Sequence, residues 1–194
     1  MPQACPTLIN YLAEDECLEN LAGLGEVAYV GRKSDLKNPL VLTGNAYSGL
    51  DFKDGKGLVK FDLKEESQKI EGSSNKKRGG YNLTCTLVFD AVNRKTSLLT
   101  RALNNLGDLF VIMPDGDDIQ IMYDHNKKVH ADNGGITTTT GDTPDSDRIT
   151  TAALIIGPVK YGNLFLDLPV GKTLDDFVVS DDSDDSDDSD DSSY

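Results

Sequence analysis

The segment from Tyr81 to Tyr123 constrains the fold more than any other part of this chain, because two kinds of periodicity follow each other within it. Every odd position from Tyr81 to Asp90 is apolar or aromatic, and every even position except Val88 is polar. That alternation predicts a β-strand with one buried face. Apolar residues then recur at helical spacing, which predicts a helix over about 94–107 that ends at Gly107; they are Leu98, Leu99, Ala102, Leu103 and Leu106.

A hairpin is predicted directly after this helix. Two apolar runs, 109–113 and 119–123, flank the turn residues Pro114–Asp117. Further strands are predicted elsewhere in the chain, at 26–31, 40–42, 58–63, 136–140, 148–156 and 161–168. Seven to nine strands with one helix indicate a mainly β (α+β) protein, and we expect an antiparallel β-sandwich or barrel with one packed α-helix.

Charge divides the chain into a body and a tail. Residues 175–194 contain ten aspartates and no basic residue, and the remaining 23 acidic residues are nearly balanced by 19 lysines and arginines. We therefore expect one β-rich domain over 1–174 and a disordered tail over 175–194, where repeated Asp-Asp-Ser units repel one another. Within the domain we expect an N-terminal arm over 1–25 and long loops over 34–56 and 72–80.

The three cysteines indicate neither a zinc site nor a disulfide framework, because their spacing is irregular. Cys85 lies on the apolar face of the predicted strand and is expected to be a buried thiol. A disulfide between Cys5 and Cys17 is conceivable, but reduced cysteines fit a protein made in a cytoplasm better. The first residues resemble neither a signal peptide nor a lipobox, and no apolar run approaches membrane-spanning length. We therefore expect no membrane association.

Candidate metal ligands do not form a recognisable site. His125 and His130 are five residues apart after a strand, whereas a helical metal pair is three or four residues apart. The aspartates within 115–118 are explained by the hairpin turn, and they lack the spacing and closing glutamate of a calcium loop. The sequence therefore predicts no metal site.

Motifs for catalysis and for nucleotide binding are missing as well. No G-x-S-x-G or Walker-A sequence occurs, and Gly23-Leu24-Gly25 precedes a strand instead of opening a helix. The cations Lys76, Lys77 and Arg78 have no interleaved aromatic residues, so a solvated loop is favoured over a nucleic-acid site. Asn82-Leu83-Thr84 matches a glycosylation sequon, which has no meaning without secretion. We expect no catalytic or cofactor-binding residue and a protein that is not an enzyme.

The order of the elements resembles that of bacteriophage tail-tube (major tail) proteins and of the tube proteins of contractile injection machines. The resemblance covers about residues 81–168 and rests on the long strand, the helix, the hairpin and the strand over 148–156. The N-terminal run Ala4–Tyr11 is also similar to virion proteins from phages of gut Bacteroidales. The Asp-Asp-Ser tail is not part of the family pattern.

This resemblance implies a virion structural protein that acts by self-assembly. Six copies would form a ring, neighbouring sheets would join into a β-barrel around a lumen, and loops 34–56 and 72–80 would contact the next ring. DNA would pass through the lumen without specific binding, since an acidic wall repels it. The partners would be further copies and other phage tail proteins, and the location would be the virion tail after synthesis in the bacterial host cytoplasm.

Other functions remain open from the sequence. A non-catalytic β-sandwich module could bind a glycan or a protein, and a capsid-decoration or tail-completion protein would use the same features. The acidic tail allows two roles, a solubilising brush or a mimic of nucleic acid that occupies a basic groove until assembly.

Overall fold

Two β-sheets and one α-helix make up the part of the fold that the structure describes. The computed structural model describes residues 26–64, 68–75, 79–89, 92, 94–105, 107–116, 118–139 and 148–179. Helix α1 covers Arg94–Asn105, and short 3₁₀ helices cover Lys33–Asp35 and Leu174–Phe177. The strands are β1 (Val27–Arg32), β2 (Val41–Thr43), β3 (Ala46–Ser48), β4 (Val59–Asp62), β5 (Lys69–Ser74), β6 (Tyr81–Phe89), β7 (Leu109–Asp115), β8 (Asp118–Met122), β9 (His130–Thr139), β10 (Ile149–Val159) and β11 (Phe165–Leu166).

The strands are arranged as a sandwich. One sheet has seven strands in the order β2-β3-β11-β8-β7-β1-β4, and the other has four in the order β5-β6-β10-β9. All neighbouring strands are antiparallel except β3 and β11. The predicted mainly β sandwich with one helix is confirmed, and the sheets do not close into the barrel that was the other expectation.

The core between the sheets is apolar and closely packed. Alternate residues of β6 point into it, and Leu83, Cys85, Leu87 and Phe89 are all buried, as the sequence predicts. Phe89 meets Phe61 of β4 edge-to-face, with ring centroids 6.1 Å apart. The Cys85 Sγ lies 3.6 Å from the Met113 Sδ of β7, so the two sheets are in direct contact.

The middle of the seven-stranded sheet is buried on both of its faces. Five consecutive residues of β7, Leu109–Met113, are buried, which explains why the sequence shows an unbroken apolar run there and not an alternation. The outer face is covered by the segment 36–58 and by residues 174–178. Phe52 stacks on Phe110 with centroids 6.5 Å apart, and Phe177 packs against Phe52.

The segment 34–56, predicted as a long loop, is therefore largely part of the domain. Leu36, Leu40, Leu50 and Phe52 are buried, and the segment contains the β2–β3 hairpin, of which only a strand at 40–42 was predicted. The apolar side chains cover the outer face of the sheet because that face is itself apolar. Only part of this segment projects into solvent.

The predicted helix is confirmed over Arg94–Asn105, but its buried face is narrower than its sequence suggests. Leu99 and Leu103 are buried, whereas Leu98 is 60% exposed. Three leucines and one alanine lie within about half of the helical circumference, and the domain covers only part of that width.

Two further boundaries differ from the prediction. The expected loop 72–80 begins with strand: Gly72–Ser74 belong to β5 and pair with β6. The prediction of a disordered tail from residue 175 is wrong for its first residues, because residues 174–179 pack on the domain, with Leu174 buried. We call residues 174–179 the C-terminal strap. The N-terminal arm 1–25, the cations at 76–78 and the repeats from 180 onward lie outside the described residues.

Candidate assembly surface

The seven-stranded sheet ends in a strand with an open edge on each side. Among the described residues, β2 pairs only with β3, and β4 (Val59–Asp62) pairs only with β1. Directly before β4, Leu58 forms a parallel bridge with Val178. Each of these edge strands carries an exposed valine: Val41 on β2 is 61% exposed and Val59 on β4 is 45% exposed. An unpaired strand edge with apolar side chains is a surface on which another chain can add a strand.

An apolar groove lies beside one of these edges. It has a volume of about 330 Å³ and is bounded by β1, β4, the start of β7 and helix α1. Its lining is mainly apolar, and the exposed side chains Val59 and Leu98 both belong to it. Arg32 and Asp35 are the charged residues of the lining. This composition suits an apolar protein segment better than a small polar substrate.

Both ends of the described chain also lie at β4. At the end of β4, the Leu63 N–H donates to the Glu26 carbonyl over 2.7 Å. At its beginning, the Leu58 N–H donates to the Phe177 carbonyl over 2.7 Å, and the Val179 N–H donates to the Leu58 carbonyl over 3.0 Å. The described chain therefore begins beside one end of this edge strand and ends beside the other.

A small polar cluster fixes the C-terminal strap on the domain. The Asp175 carboxylate accepts a hydrogen bond from the Tyr29 hydroxyl at 2.9 Å and one from the Lys60 ammonium at 3.0 Å. The bond from Lys60, followed by that from Tyr29, lowers the pKa of Asp175. Burial, reinforced by Asp175, raises the pKa of Tyr29. The Lys60 Nζ also lies 5.7 Å from the centroid of the Tyr29 ring, so the cluster holds three elements together.

The ammonium group of Lys33 is enclosed by two carbonyl groups and an aromatic ring. Its Nζ donates to the carbonyls of Asp124, at 2.6 Å, and of Lys127. It also lies 5.3 Å from the centroid of the Tyr123 ring. Burial lowers its pKa. Because both carbonyl bonds hold the 124–127 turn, the contacts assign Lys33 a structural role.

The residues considered as metal ligands do not come together. His125 is exposed in a loop, and His130 is exposed at the start of β9, where its Nδ1 lies 3.3 Å from the Lys128 carbonyl. Asp115 accepts a hydrogen bond from Gln120 at 2.6 Å within the β7–β8 hairpin. Within the described ranges, no three histidine, cysteine, aspartate or glutamate side chains are grouped as metal ligands would be.

Cys85 is a buried thiol, as predicted, and burial raises its pKa to about 12. It is therefore protonated and unreactive at neutral pH. Cys5, Cys17, Gly23–Gly25 and Lys76–Arg78 fall outside the described part of the chain, so the expectations for them stay predictions. In the portion that the structure describes, no helix is both long and apolar enough to cross a membrane.

The groove was not apparent from the sequence. Val59 and Leu98 are 39 positions apart and belong to a strand and a helix that are not consecutive in the chain. Only the tertiary structure brings them together. The one available signal was the excess width of the apolar face of α1, which left Leu98 without a place in the core. No protein-family model, curated protein or solved structure matches this chain.

Proposed function

We propose that this protein is a virion structural protein, a tail-tube subunit that self-assembles into stacked rings, with six copies per ring, around a conduit for DNA. The observation that carries the proposal is the pair of open edges, β2 and β4, at opposite sides of one seven-stranded sheet. Two different edges of one subunit can join head to tail, and a head-to-tail contact closes into a ring when the rotation between subunits permits.

The side chains on these edges support such joining. Natural proteins often protect an edge strand with a lysine. The lysine of β4, Lys60, is instead bound to Asp175 on the outer face of the sheet. The exposed Val41 and Val59 are left on the two edges, and strand addition would bury both. Apolar burial and backbone hydrogen bonds would then act together in assembly.

The charge of the chain is compatible with a DNA conduit. The formal net charge is −14, of which the ten aspartates of residues 175–194 contribute −10. A negative surface facing a lumen would repel the phosphate backbone and allow DNA to move without binding. Contacts between rings would come from segments that connect strands, such as the tip of the β2–β3 hairpin and the connection from β5 to β6.

Electron microscopy combined with light scattering tests the proposal. Full-length protein at rising concentration should form rings or short tubes in negative stain, and its mass should rise in steps toward a closed ring. V41K and V59K should each abolish rings, because a lysine on an edge opposes strand addition. V170K is the matched control, since Val170 is fully exposed outside any strand, and it should assemble normally. A protein that stays monomeric at the highest concentration would contradict the proposal.

A non-catalytic binding module is the second candidate, and one observation favours it. A polar pocket of about 460 Å³ lies between α1 and β9, lined by Ser97, Thr100, Arg101, Asn104 and Asp132 among others. Hydroxyl, amide and charged groups of this kind can hydrogen-bond a glycan. None of the described residues that line this pocket is aromatic, so these residues offer no stacking surface for a sugar. Saturable glycan binding that is lost in N104A would favour this function.

A further inference from the structure

We propose that the apolar groove beside β4 is the docking site for the N-terminal segment of the same chain, residues 1–25, through its apolar and acidic stretch 8–16. This inference does not rest on the proposed function, because it concerns the single subunit.

The groove exposes apolar side chains that a further segment of protein could cover. Two exposed apolar side chains, Val59 and Leu98, lie on it, one from each of its walls. On the helical wall, Arg94 and Arg101 are exposed at four positions before and three positions after Leu98. Residues at these spacings are neighbours on the helix surface. The occupant should therefore combine apolar side chains with negative charge.

The N-terminal segment has this combination. It contains Leu8, Ile9, Tyr11 and Leu12, followed after Ala13 by Glu14-Asp15-Glu16, and residues 1–25 include no lysine or arginine. Apolar side chains entering the groove would place the acidic run near the two arginines of α1. Such a pairing gains from apolar burial and from charge complementarity at the rim.

The segment is also attached close enough to reach the groove. The described chain begins at Glu26, directly before β1, and the groove includes Val30–Arg32 of the same strand. That distance is about 20 Å along β1. The ten residues from Cys17 to Glu26 span up to about 33 Å when extended. Because attachment also gives the segment a high effective concentration, we assign the groove to its own chain and not to a neighbouring copy.

The C-terminal repeat matches the groove less well. It leaves the strap at Val179, also near the groove, but residues 180–194 are aspartate and serine apart from Tyr194. These residues could pair with the arginines, but they have almost nothing to bury on the apolar lining.

Hydrogen–deuterium exchange in monomeric protein tests the inference directly. Amides of residues 8–16 should exchange at least tenfold more slowly in the full chain than in a synthetic peptide of residues 1–25. L98E should raise the exchange rate of these amides to within twofold of their rate in the peptide, because it places a negative charge on the groove beside the acidic run. V170E is the matched control and should leave the protection unchanged. Circular dichroism should show both variants to be folded, since both positions are exposed.

A charge exchange tests the pairing with the arginines. R94E/R101E should lose most of the protection, and adding E14K/D15K/E16K to that variant should restore it. Peptide-like exchange in the unmodified chain, or protection that L98E does not alter, would overturn the inference. Protection that grows with a tenfold rise in protein concentration would assign the groove to a second copy and also overturn it.

Alkylation of L98C provides a second readout. In a C5S/C17S background, the L98C thiol is the accessible one, because Cys85 is buried. Deleting residues 1–16 should accelerate its alkylation by a maleimide at least tenfold, and deleting residues 180–194 should not change it. The reverse result would assign the groove to the acidic tail and overturn the proposal.

Discussion

At the scale of single residues, Cys85 shows how completely the core between the sheets excludes water. Its thiol has no exposed surface, it packs against the Met113 sulfur, and burial raises its pKa to about 12 from a usual value of 9.0. The unfolded chain would ionise this thiol near its usual pKa, whereas the folded chain holds it protonated. The free energy of unfolding therefore depends on pH in the alkaline range through this thiol.

We expect the free energy of unfolding to fall faster with rising pH in the unmodified protein than in C85A. Well below pH 9 the thiol is protonated in both states and has no effect on this slope. Between its unfolded and folded pKa values the thiol removes about 1.4 kcal/mol per pH unit. Urea unfolding at pH 7 and at pH 10 measures the difference between the two proteins. Equal slopes for unmodified protein and C85A would contradict the burial of this thiol.

At the scale of elements, helix α1 carries both buried and exposed leucines, and its sequence pattern alone does not distinguish them. Leu103 is 1% exposed, whereas Leu98 is mainly exposed. We expect L103A to lower the free energy of unfolding by about 2–5 kcal/mol through lost burial and a cavity. L98A should lower it by clearly less, since Leu98 lies outside the core and leucine and alanine have similar helix propensities. Thermal and urea unfolding of this matched pair tests the orientation of the helix, and equal losses would contradict it.

The C-terminal strap is a second element whose attachment can be tested. A Cβ atom at Gly57 would collide with the Phe177 carbonyl oxygen, so G57A must push the strap away from the start of β4. We expect the amides of Leu58 and Val179 to exchange at least tenfold faster in G57A, while those of β6 and β10 keep their rates. K56A, at the exposed neighbouring residue, is the control and should leave all of them unchanged. Unaltered exchange in G57A would show that the strap does not pack as described.

Elements with strong periodicity could be predicted from the sequence, and those defined by pairing could not. The alternation of β6 and the apolar runs of β7 and β8 depend on burial, which residue type reports directly. In β5, by contrast, only Ile70 is apolar, so Lys69–Ser74 resembles a loop and becomes a strand through its pairing with β6. The Asp-rich composition near residue 175 likewise concealed the strap, because Leu174 and the bond from Tyr29 to Asp175 attach it to distant strands.

At the scale of the whole molecule, the sandwich presents different surfaces at its two sheet ends. One end of the seven-stranded sheet has the short β2–β3 hairpin, and the other has β4 with the groove and both chain ends beside it. A self-complementary dimer would use one of these ends twice, whereas a ring would use each end once. A contact that uses one end twice therefore gives a closed dimer, whereas a contact that joins the two different ends gives a head-to-tail assembly.

Mixing the two edge variants tests which contact the molecule uses. V41K blocks the β2 edge and leaves β4 free, and V59K does the reverse, so each variant alone should be monomeric. A one-to-one mixture should form a dimer and stop there, because the free β4 edge of V41K joins the free β2 edge of V59K and each partner's other edge is blocked. Light scattering of the separate and mixed samples gives the masses, and a V41K/V59K double variant, added to either one, should remain a monomer. If V41K alone formed a dimer, the contact would not require the β2 edge, and the head-to-tail ring would be excluded.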